Sequence, residues 1–269
     1  MSALDPTSYQ TLRIRQEDDL LWVTLDDPEQ ANALSLGMIS DLTHLYGSGL
    51  RADGIRAVIL GGAGKHFSAG ADLNHLRSLR DAGSEENLQD SQRLKRLFES
   101  VLRQEALTIA LVQGACVAGG CGLATASDFV VAAHSARFMY SEVRIGFVAA
   151  LVATYLPLRL RGSDIRELLL NPDFVSAERA LEIGLVNRLA PPEDLEKHGR
   201  ALAVEVLERA SSESIARTKR LLLDIVGVPL SEALEIAANA NAESRATDDC
   251  KRGIATFLNT KSPPNWREE

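Results

Sequence analysis

With 269 residues, 45% of them hydrophobic and 25% charged, the chain can bury one substantial core and is too apolar to be disordered or fibrous. A net charge of −8 argues against a nucleic-acid surface. No stretch reaches the ~18 uninterrupted apolar residues of a membrane span, and "MSALDPTSYQ" has neither the basic start nor the apolar centre of a secretion signal, so a soluble cytoplasmic protein is expected.

Two short runs, "TLRIRQ" and "LLWVTLD", alternate polar and apolar positions and close on Asp-Asp-Pro, which predicts a hairpin. Ser35 then stands as an N-cap before "LGMISDLTHLY", whose apolar residues fall at helical spacing. "RAVILGG" is a continuous apolar run ending in glycines, as in a parallel strand buried on both faces. Residues 81–91, "DAGSEENLQDS", are polar throughout and read as a mobile loop or a frayed helix start. The strand-then-glycine pattern returns in "TIALVQG", followed by a Gly/Ala-rich stretch and by "FVVAAHSARF", a further strand region. Beyond Ala149 the texture becomes helical, rich in Ala, Leu, Glu and Arg. The expected division is a core over residues 1–190 and a helical extension over 191–269. Cys116, Cys121 and Cys250 form neither a Cys-x-x-Cys pair nor a Cys/His cluster, so free thiols and no metal are expected, with Cys121 filling the core rather than acting as a nucleophile.

The glycine-rich stretch "GGAGKHFSAGADL" fails both nucleotide-binding tests. A phosphate loop would need Gly where Ile59 stands and Ser or Thr where His66 stands; a dinucleotide fingerprint would need Gly in place of Phe67. What remains is a strand, a tight turn and small residues entering "DLNHLRSLR", so that the Ala71 N–H lies bare at a helix start. "GACVAGGCGLATASD" repeats the arrangement with Ala118, Gly119 and Gly120. Either cluster alone is also explained by close packing of helix on strand. Two such N–H groups converging on one carbonyl oxygen make an oxyanion hole, where loss of one donor costs about 3–4 kcal/mol of transition-state stabilisation.

The ordered motifs "DDPEQANALS", "KHFSAGADL", "VAGGCGLATASD", "SEVRIGF" and "SAERALEIGLVNRL" resemble the crotonase family, the enoyl-CoA hydratase and isomerase superfamily, over roughly residues 10–262. The resemblance implies an α/β fold with a ββα spiral core, a helical C-terminal trimerisation region, and acyl-CoA thioester substrates. It implies that the N–H groups of Ala71 and Gly119 bind the thioester oxygen and that Glu142 is the catalytic acid–base. It places Ala33, Leu34, Lys65 and Ala69 beside coenzyme A, with Phe257 and Lys261 reaching the nucleotide from a neighbouring subunit. No separate cofactor is implied, since coenzyme A arrives with the substrate, and the implied assembly is a homotrimer or a dimer of trimers.

Two departures from the family pattern stand out. Gly122 occupies the position of a second glutamate, and Ala149-Ala150 replaces a usual Pro-Gly. By residue chemistry alone, Glu142 is equally an acid paired with Arg144, and Asp128 is a loop anchor. The expected activity is reversible addition of water to a 2-enoyl-CoA; a double-bond isomerase using Glu142 alone and a non-catalytic acyl-CoA-binding protein are the alternatives.

Overall fold

The structure, a computed structural model, describes residues 3–268, so Met1, Ser2 and Glu269, the outermost residues of the two expected regions, lie outside it. The hairpin forms as β1 (Leu12–Glu17) and β2 (Leu20–Leu25), paired antiparallel. Helix α1 (Leu36–Tyr46) is capped by the Ser35 hydroxyl, which accepts from Met38 N at 3.2 Å, and it buries Met38, Ile39, Leu42, Leu45 and Tyr46. Strand β3 (Ala57–Gly62) lies parallel to β2, and the chain then runs through the short α2 (Leu73–Leu79) into α3 (Ser84–Leu102). The polar stretch at 81–91 is therefore not a loop: from Ser84 it is the start of a long helix, with Glu85 and Glu86 in the first turn where they complement the helix dipole. Its lack of apolar periodicity reflects exposure to solvent on most sides; the buried residues of α3 are Leu97, Phe98 and Val101 at its far end.

Strand β4 (Leu107–Val112) is buried along its whole length between β3 and β6 (Phe129–Ala133), both parallel to it. Between β4 and β6 the chain makes β5 (Ala115–Val117) and α4 (Gly119–Ala126). "FVVAAHSARF" divides into two strands in different sheets, β6 and β7 (Arg137–Met139), because the chain turns at His134 and Ser135, both exposed. After α5 (Ala150–Tyr155), α6 (Gly162–Leu170), β8 (Val175–Ser176) and α7 (Ala177–Glu182), β9 (Arg188–Ala190) completes a six-stranded sheet of order β1-β2-β3-β4-β6-β9. A smaller sheet has the order β5-β7-β8.

Helix α8 (Leu195–Arg209) closes over the large sheet, where a Cβ on Gly199 would stand 2.5 Å from Leu111 Cδ2, so that Leu111 would have to shift to admit one. Asp128 is the anchor expected of it: it accepts from Thr108 N and Oγ1 at 2.7 and 2.9 Å and pairs with Lys219 at 2.7 Å. Lys219 belongs to α9 (Ser212–Asp224), which with α10 (Leu230–Ala246) and α11 (Asp248–Thr260) contributes no buried residue. Among the described residues no helix is long and apolar enough to cross a membrane.

Candidate active site

Three backbone segments meet at the C-terminal ends of β3 and β4. The first is a left-handed turn in which Ala31 and Asn32 take φ of 50° and 53°. Asn32 is fully buried and acts as a hub: its Nδ2 donates to Ala63 O and His66 O, both at 2.9 Å, and its Oδ1 accepts from Asp27 N at 3.0 Å. The second segment, 68–71, pairs with the first: Ala69 N donates to Ala31 O (2.9 Å), Leu34 N to Gly70 O (2.7 Å), and Ser68 Oγ to Asn32 O (2.8 Å). The third, 115–120, lies on the other side of the second, with Val117 N donating to Ser68 O at 3.0 Å. Asn32 and Ser68 carry the arrangement, and sequence reasoning missed both. The available signal for Asn32 was its residue type, since Asn tolerates positive φ better than other side chains.

The small residues let these backbones touch. Gly70 has φ +86°, and a Cβ on it would meet Val117 O at 2.6 Å, so both conformation and space demand glycine. A Cβ on Gly120 would meet Ser68 at 2.8 Å. Ala69 and Ala71 are exposed, whereas Ala33 and Leu34 are buried behind them. Among the described residues, neither Ala71 N nor Gly119 N finds a protein acceptor: Ala71 precedes the Asp72 cap of α2, and Gly119 opens α4. Leu34 lies between the two: its backbone pairs with the Ala71 segment, and its Cδ1 lies 3.1 Å from where a Gly119 Cβ would stand. Before Gly119, Ala118 holds φ 47° and ψ −119°, a conformation that disfavours any side chain; Ala118 N donates to Met139 O at 2.7 Å.

Glu142 begins a 3-10 turn, Glu142–Ile145, directly after β7, which pairs with β5 and thereby places the acid beside the third segment. Its Oε2 is buried and has no hydrogen-bond partner, and burial raises its pKa. The Arg144 alternative does not hold, since Arg144 pairs with Asp173 at 3.8 Å. Ala149 takes φ −73° and α5 begins at Ala150, so the loop behind Glu142 forms without Pro-Gly. At Gly122 a Cβ would stand 2.7 Å from Phe98 Cζ and 3.1 Å from Tyr155 Oη; the space beside it is filled by the Phe98 ring and the Tyr155 hydroxyl. This glycine is fixed by space rather than by an unusual φ.

The remaining residues are scattered within one chain. Lys65 is exposed and, among the described residues, unpaired. His66 accepts from Ala115 N at Nδ1 (3.0 Å), and burial, with Lys65 and Arg137 nearby, lowers its pKa. Phe257 is 53% exposed on α11, and Lys261 Nζ donates to Leu258 O, so neither is tied to the three segments. Cys121 is buried with its Sγ 2.9 Å from Cys116 O. A cleft of about 730 Å³ between α9, α10 and the end of α3 lies apart from both bare N–H groups; ion pairs such as Arg217–Glu213 and Arg103–Asp224 take up its charges.

The two sheets with their flanking helices have the α/β fold of the crotonase class, and the solved structures agree. Mycobacterium smegmatis enoyl-CoA hydratase superposes with a TM-score of 0.87 at 28% identity, over 96% of this chain and 99% of that one. The family model for enoyl-CoA hydratase/isomerase matches residues 15–269. A Thermus thermophilus protein named as a candidate enoyl-CoA hydratase is 45% identical over 91% of this chain and 96% of its own length. A peroxisomal Delta(3,5)-Delta(2,4)-dienoyl-CoA isomerase of Arabidopsis thaliana is 28% identical over 95% and 97%. The chain belongs to the enoyl-CoA hydratase/isomerase family.

Proposed function

We propose that the protein adds water reversibly to a 2-enoyl-CoA thioester. The observation that carries this reading is the buried Oε2 of Glu142, which has no hydrogen-bond partner, on the segment that follows β7, where Ala118 N also bonds, together with two backbone donors that no protein acceptor uses. In the hydration direction Glu142 takes a proton from water as the oxygen bonds to C3. The C2=C3 electron pair moves toward the thioester, whose oxygen becomes an enolate held by Ala71 and Gly119 N–H. Glu142 then returns the proton to C2. Burial suits the carboxylate to this exchange because it raises the pKa toward the working range. No group beyond these is required, coenzyme A arriving with the substrate.

The filled space at Gly122 favours a second reading. With Phe98 and Tyr155 there, Glu142 works without a second carboxylate, and one base suffices for a 1,3-shift: it removes a C2 proton from a 3-enoyl-CoA and returns it at C4. Incubation with 2-enoyl- and 3-enoyl-CoA, following absorbance and products, separates the two. Turnover of neither, with thioester still bound, would leave a binding protein and overturn both.

In this reading coenzyme A would bind beside the exposed Lys65, whose ammonium would meet the phosphates, and along the backbone around Ala33, Leu34 and Ala69. Phe257 and Lys261 would join it across a subunit boundary. Helices α9–α11 and the turn between α9 and α10 leave Leu222, Val226, Leu230, Leu234, Ile254 and Leu258 exposed, an apolar surface that a homotrimer or paired trimers would cover. Light scattering at the 29.1 kDa monomer mass alone would remove the assembly. The cytoplasm, with its reduced thiols, is the compartment this reading assigns.

A further inference from the structure

Helix α4, whose N-terminus presents Gly119 N–H, is a weak helix by its own sequence. Three of its first four residues are glycine, a poorer helix former than alanine, and Ala118 before it offers no side-chain cap. Its geometry must come from outside. Ser68 seats Gly120, and Phe98 seats Gly122. Tyr155, the last residue of α5, donates from its hydroxyl to Gly122 O at 2.9 Å, and its ring meets Phe98 edge-on at 5.9 Å. Tyr155 is 7% exposed, so this hydrogen bond is shielded from water. Helix α5 comes soon after the turn that carries Glu142; burial raises the Tyr155 pKa, and the Glu142 charge adds to it as a lesser cause.

We infer that Tyr155 is a positioning residue for the reaction: by clamping Gly122 O it fixes the first turn of α4 relative to the Glu142 segment, and so sets the direction of Gly119 N–H toward the thioester oxygen. The inference rests on the reading of Gly119 as an oxyanion donor. It assigns the hydroxyl a role apart from packing, because the Phe98 ring already closes the space beside Gly122 while the Tyr155 hydroxyl is the group that bonds Gly122 O. A donor displaced by a fraction of an ångström loses strength only where negative charge develops, so kcat suffers while ground-state binding is kept.

The test is Tyr155→Phe, which keeps the ring and its contact with Phe98. Two readouts are compared with wild type: kcat and KM on the better of the 2-enoyl- and 3-enoyl-CoA substrates, and the ultraviolet enolate band of a bound 3-oxoacyl-CoA, which reports the donors without turnover. The expected result is a kcat about tenfold lower, KM within about twofold, and a clearly weaker enolate band. Tyr155→Leu, which also removes the ring, should in addition lower the melting temperature. Full kcat with an unchanged enolate band in a folded Tyr155→Phe would overturn the role, as would a lower melting temperature with both readouts intact. Failure of the underlying reading looks different: wild type itself would then show no turnover and no enolate band.

Discussion

The two glycine-rich turns present the same chemical group, an unused N–H, and support it in opposite ways. Ala71 sits on an exposed segment leading into a seven-residue helix with no buried residue; what holds it is the backbone pairing to Ala31 and Leu34 and the Asn32–Ser68 hub behind. Gly119 opens a helix whose other seven residues are all buried, behind a strained Ala118. One donor is held by hydrogen bonds from behind, the other by burial of the rest of its helix. A side-chain change at Ala71 should therefore be tolerated, and a change that removes or displaces the Gly119 N–H should not.

The carboxylate near both turns sets the scale. Glu142→Gln should lower hydration and isomerisation together by about 10²–10⁴, since the amide keeps the shape but cannot exchange a proton; unchanged turnover would move the assignment elsewhere. In wild type, kcat/KM should fall as pH is lowered through the raised Glu142 pKa, with a limb above the usual carboxylate range that vanishes in the variant. The linkage sign is opposite for stability. A carboxylate whose folded pKa is raised destabilises the fold above that pKa, and the cost disappears as pH falls below its unfolded value. Glu142→Gln should accordingly melt higher than wild type at neutral pH, with the gain lost in acid.

Gly119→Pro probes the buried turn. It deletes the donor at the first position of α4, where a helix accepts proline, and should reduce kcat by about 10²–10³ while CoA thioester binding survives. Full turnover in a variant with native circular dichroism would remove the oxyanion role from Gly119. The Asn32→Ala variant attacks the support of the other turn: it leaves Asp27 N, Ala63 O and His66 O without a buried partner, and about 2 kcal/mol of stability should be lost in denaturant titrations. Ala118→Gly should relieve strain and change stability by no more than about 1 kcal/mol, with activity kept. The smallest effect is expected for Ala71→Ser, whose exposed side chain leaves the N–H in place; kcat should stay within about twofold. A large loss there would show that the two turns are equally rigid and undo the comparison.

Local patterning determined much of this molecule from the sequence. The apolar runs of β3 and β4, the Ser35 cap and the small residues at 69–71 and 118–120 each express a nearest-neighbour requirement: burial on both faces, an N–H to be capped, a backbone that another must approach. Residue identity also shows which acid stands alone, since Gly122 carries no carboxylate. Other features arose only when distant segments met. The division of "FVVAAHSARF" between two sheets depends on pairing with β4 and β5, and the helix from Ser84 has too few buried positions to leave a periodic trace. Asn32 becomes a hub only because Asp27, Ala63 and His66 converge on it. Glu142 was separated from Arg144 by Asp173, thirty-one positions from the acid, and Gly122 was explained by Phe98 and Tyr155, each more than twenty positions from it. Residue type sets what a side chain can do; its partners, and with them its charge state and its room to move, come from contacts between segments that are remote along the chain.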